Sequence, residues 1–284
     1  MIFLYYIQEI DKPNFLFSFF NIVKLEDDKI ILPIANNEKI TLKKAQKLAK
    51  NTNKILKKAH GNQVVVSKLI KNQEEYLNYL NSYNIRIVQG KWLFELLAND
   101  VLEYIVDKKR LKKEQIKVSI LVNDMSDIML ENIKQIIRQY KRVNIVTNHL
   151  ERFKKLEEQV LEEGIMITVS NNKKKSLAKS EIILNVDFPT ELINKYNLYE
   201  QAIIVNIKSD VEINKKRFNG ININDYEIQF KDFEDFDYDK DNLYDKKDLY
   251  EVMSYKKQPY IYIRRKVISD KVKIIKLVGN RSVL

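Results

Sequence analysis

Four short apolar runs in the middle of the chain each end at a cluster of polar residues. The runs are Val118–Val122, Val143–Val146, Ile165–Val169 and Ile182–Val186, and Ala202–Ile207 continues the series. Each intervening segment among the first four is long enough for one helix, so the pattern predicts alternating strands and helices. Single-helix crossovers of this kind favour an α/β fold with a doubly wound parallel sheet.

Polar residues follow the first four of these predicted strands. They are Asn123-Asp124, Thr147-Asn148-His149, Ser170-Asn171-Asn172 and Asp187. The carboxyl ends of parallel strands meet at one edge of a sheet, and open α/β sheets bind their ligands at that edge. We therefore expect the functional site to lie among these residues.

The first third of the chain has a different opening pattern. Apolar runs at Ile2–Ile7, Phe15–Leu25 and Ile30–Ile34 are separated by turn-forming residues, which predicts a leading β-meander. The helical and strand patterns that follow indicate that residues 1–113 form an α/β domain of their own.

Three parts are predicted along the chain. An N-terminal α/β domain covers residues 1–113, a Rossmann-like doubly wound domain covers 114–225, and a β-rich tail covers 226–284. The tail begins with an acidic stretch, and its last part has nine basic residues and one acidic residue. Apolar runs at Tyr260–Ile263 and Val272–Leu277 predict that this basic part is a β-hairpin.

Composition limits the class of protein. The chain has 284 residues, of which 45% are hydrophobic and 31% charged, as in ordinary globular proteins. It has no cysteine, which excludes disulfides, thiolate nucleophiles and cysteine-ligated metals. No apolar stretch approaches the roughly 18 residues needed to span a bilayer. We expect a cytoplasmic protein without a membrane partner.

The formal net charge of +11 raises the alternative of nucleic-acid binding through a lysine-rich face. The lysines of 43–58 and the basic tail are the candidate surfaces. Only nine of the 50 basic residues are arginine, although arginine is preferred for bidentate phosphate and base recognition. The charge alone therefore does not favour this function.

The turn after the first central strand, Asn123–Asp127, lacks the glycines of a dinucleotide site. A G-x-G-x-x-G loop lets the backbone approach a pyrophosphate at the helix N-terminus, and here Asp124 and Asp127 would present negative charge to it. Asn123 and Ser126 are nevertheless candidate ligand-binding residues, because they lie at this turn.

The next strand end carries a different signal. The sequence Thr147-Asn148-His149-Leu150-Glu151-Arg152 resembles the strand-two end of Rossmann domains of the shikimate dehydrogenase and glutamyl-tRNA reductase type. The resemblance covers about residues 116–190. It implies that Thr147, Asn148 and Arg152 receive the 2′-phosphate of NADP and that His149, the candidate catalytic residue, lies near the chemistry.

The segment from Ser170 to Ser176 is the most favourable loop for an anion. Asn171 and Asn172 tolerate left-handed turn geometry, which allows backbone N–H groups to converge, and Lys173 adds positive charge. Ser170, Asn171, Asn172 and Lys173 are therefore candidate ligand-binding residues. The alternative is an exposed polar connection.

An acidic segment partly matches a calcium-binding EF-hand loop. The matching residues are Asp237, Asp239, Asp241, Asp245 and Asp248. The turn glycine and the bidentate glutamate of that motif are replaced, so an acidic loop without calcium is the favoured interpretation.

The leading hypothesis is a non-catalytic or degenerate Rossmann-like module that binds a small anionic ligand or a protein partner. An NADP-dependent reductase of the shikimate dehydrogenase-like type and a nucleic-acid-binding protein are the alternatives.

Overall fold

The structure is a computed structural model that describes residues 3–10, 15–35, 38–214, 216–231, 242–255, 258–279 and 283–284. In chain order the first part contains β1 (Phe3–Glu9), α1 (Phe15–Phe19), β2 (Lys24–Glu26), β3 (Lys29–Leu32), α2 (Leu42–Lys58), β4 (Gly61–Val66), α3 (Lys68–Lys71), α4 (Glu74–Ser82) and β5 (Arg86–Ile87). The second part contains α5 (Lys91–Leu96), α6 (Ala98–Lys109), β6 (Lys117–Leu121), α7 (Asp127–Gln139), β7 (Arg142–Val146), α8 (Leu150–Glu162), β8 (Thr168–Ser170), α9 (Lys173–Leu177), β9 (Ile182–Asn185), α10 (Thr190–Asn194), β10 (Ile203–Asn206), β11 (Ile221–Gln229), α11 (Lys246–Ser254), α12 (Tyr260–Ser269) and β12 (Lys273–Gly279).

The chain divides into two compact units, and each contains one sheet. Unit 1 comprises residues 1–90 and 232–255, and unit 2 comprises 91–231 and 256–284. These bounds differ from the predicted division into 1–113, 114–225 and 226–284. The difference arises because α5 and α6 pack on α7 in unit 2, whereas α11 belongs to unit 1.

The sheet of unit 1 has five strands in the order β2-β3-β1-β4-β5. Strands β3, β1, β4 and β5 run parallel, and β2 pairs antiparallel with β3. The α/β class predicted for this region is confirmed. The predicted β-meander is wrong, because α1 carries the chain from β1 to β2 and β3 then lies parallel to β1.

The sheet of unit 2 has seven strands in the order β12-β11-β10-β9-β6-β7-β8. Six of them are parallel, and counted from β6 they follow the 3-2-1-4-5-6 order of Rossmann folds. The predicted Rossmann-like doubly wound sheet is thereby confirmed. The order of the strands reverses between β6 and β9, so the topological switch point lies at their carboxyl ends.

Buried apolar faces hold the helices of unit 2 against this sheet. Helix α7 buries Met129, Ile133 and Ile136, and α8 buries Phe153 and Leu156. These positions recur at helical spacing, so one stripe of each helix is removed from water. The strands between them are buried on both faces, as parallel strands under two helical layers require.

The predicted terminal β-hairpin is wrong in one of its two strands. Residues Tyr260–Ser269 form α12, in which Ile263 and Val267 are buried at a spacing of four residues. Lys273–Gly279 does form a strand, and it pairs antiparallel with β11. A four-residue apolar run cannot by itself distinguish a strand from a helix.

Within the described residues, no helix combines the length and apolar character required to cross a bilayer.

Candidate functional site

The carboxyl edge of the unit 2 sheet gathers the polar residues that follow its central strands. Leu121 of β6 is paired with Asn185 of β9 and with Val146 of β7. Residues two positions beyond these pairs therefore face one another, which brings Asn123, Asn148 and Asp187 together at the switch point.

Asp187 accepts three hydrogen bonds from the turn after β6. The Asn123 amide nitrogen lies 2.9 Å from Oδ1 and 3.1 Å from Oδ2 of Asp187, and the Asp124 amide nitrogen lies 2.6 Å from Oδ2. The carboxylate thus satisfies two consecutive backbone donors. The sequence identified Asp187 as the polar end of a strand but did not predict this role.

Asn185 fixes the turn that carries Asp187. Its side chain accepts a hydrogen bond from the Phe188 amide at 2.9 Å and donates one to the Phe188 carbonyl at 3.0 Å. Because both ends of the Asn185 amide are engaged with Phe188, the intervening Asp187 is held facing the Asn123–Asp124 turn.

These contacts decide whether the edge fits a dinucleotide. In Rossmann folds the pyrophosphate lies against the turn after the first strand, at the N-terminus of the following helix. Here the amides of that turn donate to Asp187, and no glycine allows a closer backbone approach. The residues present therefore do not fit the pyrophosphate of NADP.

Ser126 adds to this disagreement. Its Oγ accepts a hydrogen bond from the Met129 amide at 3.1 Å and so caps α7, and the same hydroxyl donates to Glu95 Oε1 at 2.5 Å. Glu95 is buried. A second carboxylate thus lies at the start of α7, where a pyrophosphate would need positive charge.

Asn148 and its neighbours form a connected network at the same edge. The Asn148 amide donates to Asn123 Oδ1 at 2.8 Å, and the Lys173 ammonium donates to Asn148 Oδ1 at 2.6 Å. Arg152 lies on the exposed side, with its guanidinium 3.7 Å from a carboxylate oxygen of Asp124. The structure therefore brings together four of the predicted ligand-binding residues.

The remaining predicted residues at this edge serve local turns. Thr147 Oγ1 accepts a hydrogen bond from the His149 amide at 3.0 Å, and Ser170 Oγ accepts one from the Asn172 amide at 2.9 Å. Asn172 caps α9 by accepting from the Lys175 amide at 3.0 Å. His149 precedes α8 with its side chain exposed, and that side chain makes no capping hydrogen bond.

Asn171 is exposed at the tip of the loop between β8 and α9. Its carbonyl accepts a hydrogen bond from the Lys173 amide at 2.9 Å, and the Lys173 ammonium lies 3.5 Å from the same oxygen. The Lys173 side chain is buried, so its charge serves this loop and Asn148 instead of pointing into open solvent.

A pocket of about 530 Å³ lies elsewhere in unit 2, and the sequence did not predict it. We call it the basic pocket. Four of its lining residues are the cations Lys117, Lys141, Arg142 and Lys175, and none of its lining residues is acidic. The other lining residues are Val143, Asn144, Met166, Thr168, Ser170, Asn172 and Ser176.

The electrostatics of the basic pocket favour an anion. Burial lowers the pKa of the Lys117 ammonium, and the nearby charges of Lys179 and Lys175 lower that pKa further. Within the described part of the chain, none of the four lining cations has a carboxylate within salt-bridge distance. The pocket therefore carries positive charge that no carboxylate of the described residues neutralises by direct pairing.

The sequence signal for this pocket was only partial. Ser170, Asn172 and Lys175 belong to the loop that was identified as favourable for an anion, but Lys117, Lys141 and Arg142 lie at the amino ends of β6 and β7. Register places these ends beside each other, since Lys117 pairs with Arg142. A sequence pattern does not show which strand neighbours which.

Of the residues proposed for calcium, Asp237, Asp239 and Asp241 lie outside the described residues. Asp245 and Asp248 both contact the ammonium of Lys71 in unit 1. Burial raises the pKa of Asp248 to about 7, although Lys71 acts in the opposite direction. In the described ranges, no group of three or more His, Cys, Asp or Glu residues is placed to hold a metal ion.

Comparisons with known proteins do not identify a family for this chain. No protein-family model and no curated protein matches the sequence. Similar solved structures include L-tryptophan dehydrogenase from Nostoc punctiforme, with 7% identity, a TM-score of 0.34, and coverage of 76% of this chain and 66% of that chain.

Two further solved structures are similar at the same level. The dipicolinate synthase structure from Bacillus halodurans has 14% identity and a TM-score of 0.34 over 62% of this chain and 58% of that chain. Ornithine carbamoyltransferase from Pyrococcus furiosus has 10% identity and a TM-score of 0.28 over 72% of each chain. Identities and TM-scores this low do not indicate a function.

Proposed function

We propose that this protein is a non-catalytic, Rossmann-like module that binds a small anionic ligand instead of a dinucleotide cofactor. The observation that carries the proposal is the position of Asp187, whose carboxylate accepts the hydrogen bonds of the Asn123 and Asp124 amides. The protein supplies its own anion where a Rossmann enzyme binds the pyrophosphate of its cofactor.

Two further observations support this proposal. Glu95 places a second carboxylate beside the start of α7, which opposes a phosphate there. The four cations that line the basic pocket provide an alternative place for negative charge within the same unit. The NADP-dependent reductase is disfavoured on the same grounds, since Thr147, Asn148 and Arg152 cannot hold a cofactor whose pyrophosphate is excluded.

A thermal-shift titration tests the proposal. Inorganic phosphate, pyrophosphate and ribose 5-phosphate are added at constant ionic strength, and neutral ribose serves as the control ligand. A ligand at 100 times its dissociation constant stabilises the folded state by about 2.7 kcal/mol, which raises the melting temperature. We expect stabilisation by at least one of the anions and none by ribose. No stabilisation by any anion would contradict the proposal.

Nucleic-acid binding is the second candidate function, and one observation favours it. Helix α2 has seven lysines and no acidic residue, and six of these lysines are exposed. They are Lys43, Lys47, Lys50, Lys54, Lys57 and Lys58. The uniform sign along one helix gives the type of basic surface that attracts a phosphate backbone.

Filter binding of a single-stranded oligonucleotide at several salt concentrations tests this second candidate. Electrostatic binding should weaken steeply as salt increases. The variant Lys47→Ala/Lys54→Ala should weaken it further, whereas Lys109→Ala/Lys195→Ala removes the same charge from unit 2 and should have little effect. Affinity that is independent of salt and of the α2 lysines would contradict this function.

A further inference from the structure

We infer that the basic pocket binds the phosphate group of a small phosphorylated metabolite. This inference rests on the proposed function, because it names the site and the chemical class of the anionic ligand. The pocket is formed by the amino ends of β6 and β7, the edge strand β8 and helix α9.

The charge of the pocket is the first feature that favours a phosphate. Other partly buried cations of unit 2 are paired with carboxylates, as Lys91 is with Asp210 at 2.7 Å and Arg264 with Asp100 at 2.7 Å. The four cations of the basic pocket have no such partner among the described residues. A phosphate monoester is a dianion near neutral pH, and cations that converge on one concave surface neutralise it directly.

Glu181 lies close to this cluster but is engaged in another contact. Its Oε2 accepts a hydrogen bond from the Lys117 backbone amide at 2.9 Å, and Glu181 does not line the pocket. Its carboxylate therefore reduces the positive charge at Lys117 in part but leaves the pocket lining without a negative group.

The polar groups between the cations are the second feature. Asn144 is buried and donates to the buried Ser176 Oγ at 2.7 Å, which fixes both side chains at the base of the pocket. Ser170 Oγ accepts from the Asn172 amide, so its hydroxyl hydrogen is available to donate to a ligand. Phosphate oxygens accept hydrogen bonds from donors of this kind.

The size of the pocket is the third feature. A volume of about 530 Å³ lies within the range of about 300–1,000 Å³ that is typical of small-molecule sites. It exceeds what one phosphate group fills. Val143 and Met166 add apolar surface to the lining, and Met166 is 80% exposed. The ligand therefore has a body beyond its phosphate, of the size of a sugar phosphate.

Isothermal titration calorimetry of the full chain tests the inference. Ribose 5-phosphate is the probe, ribose is the neutral control, and a short oligonucleotide supplies phosphate diesters instead of a monoester. The pocket variant is Lys141→Ala/Lys175→Ala. The matched control is Lys109→Ala/Lys195→Ala, which removes two exposed lysines from the same unit outside the pocket.

We expect the wild-type chain to bind ribose 5-phosphate with a dissociation constant below about 1 mM, a weak but measurable affinity. The pocket variant should bind about tenfold more weakly or more, because two charge-assisted contacts are lost. The control should keep the wild-type affinity. All four lysines are exposed, so both variants should fold, as circular dichroism would show.

Other outcomes would overturn the inference in distinguishable ways. Binding of ribose 5-phosphate that the pocket and control variants weaken equally would place the anion elsewhere and leave the proposed function standing. Binding of the oligonucleotide alone would indicate a nucleic-acid surface. No binding of any anion would remove the proposed function together with the site.

Discussion

Among the individual residues, Asp187 explains why this Rossmann-like unit has no glycine-rich loop. Glycines at the turn after the first strand allow a pyrophosphate to approach the backbone. A side-chain carboxylate that comes from the neighbouring strand end reaches the Asn123 and Asp124 amides without that close approach. The turn therefore tolerates ordinary residues.

Removing this carboxylate should destabilise unit 2. Asp187→Ala should lower the free energy of unfolding by about 1–3 kcal/mol, because hydrogen bonds to charged acceptors are lost at two amides. Urea denaturation measures the change. Asp187→Asn keeps one acceptor and should show a smaller loss, and the exposed Asn171→Ala should show almost none. Equal stability of Asp187→Ala and the wild type would mean that these contacts contribute nothing.

Asp248 in unit 1 should make stability depend on pH. Burial raises the pKa of its folded-state carboxyl to about 7, well above the ordinary value of an aspartate. The native state keeps a proton that the unfolded state releases, so this group lowers stability as pH rises from about 4 to about 7. Asp248→Asn removes this effect. In chemical denaturation the variant should be more stable than the wild type at pH 8 and equally stable near pH 4, to within roughly the error of extrapolation.

The neighbouring Asp245 supplies a control of opposite sign. Burial alone would raise its pKa, but the charge of Lys71 and its hydrogen bond bring the pKa below the ordinary value. Its ionised form therefore stabilises the fold, and this contribution is lost as pH falls through the folded pKa. Asp245→Asn should be less stable than the wild type at about pH 8. If Asp248→Asn were also less stable there, the contact with Lys71 would outweigh the cost of burial.

Part of the candidate site was predictable residue by residue. Asn123, Asn148 and Lys173 were expected at one edge because each follows a predicted parallel strand or lies in the next loop, and the structure joins them by hydrogen bonds. The role of Asp187 was not predictable in the same way. It depends on which two strand ends become neighbours, and the order of strands cannot be inferred from the local pattern.

Among the helices and strands, the central alternation was predictable because buried parallel strands are short continuous apolar runs. The strands of unit 2 from β6 to β10 all fall within or beside the predicted runs. The errors lie where a short apolar run has no such context. Phe15–Phe19 and Tyr260–Ser269 are helices, although their runs of β-branched and aromatic residues suggested strands.

A chain of buried asparagines joins three neighbouring strands at the carboxyl edge. Asn185 of β9 donates to Asn206 Oδ1 at 2.9 Å, and Asn206 of β10 donates to Asn224 Oδ1 of β11 at 2.8 Å. Asn206 is fully buried. These bonds connect the turn that carries Asp187 to the outer strands of the sheet.

Asn206→Ala should therefore lower the free energy of unfolding by roughly 2–4 kcal/mol, because it leaves buried amide groups of its neighbours without partners. Chemical denaturation monitored by circular dichroism measures the loss. Asn171→Ala again serves as the control, since Asn171 is exposed in a loop. Equal stability of the two variants would show that the asparagine chain is not a stabilising network.

Across the whole molecule, the net charge of +11 is distributed unevenly. The lysines of α2 form one basic surface in unit 1, and the four cations of the basic pocket form another in unit 2. Total charge could be predicted from the sequence, but its concentration into a concave surface could not. That concentration requires the pairing of β6 with β7 and the short crossover through α9.

Calorimetric titration of the wild-type chain with NADPH would show whether Asp187 replaces the pyrophosphate of a dinucleotide. We predict no saturable binding up to about 1 mM, which corresponds to a binding free energy weaker than about −4 kcal/mol. Saturable binding in the micromolar range that is lost in Arg152→Ala would contradict this replacement. Such a result would place NADPH at the edge that Asp187 is proposed to close.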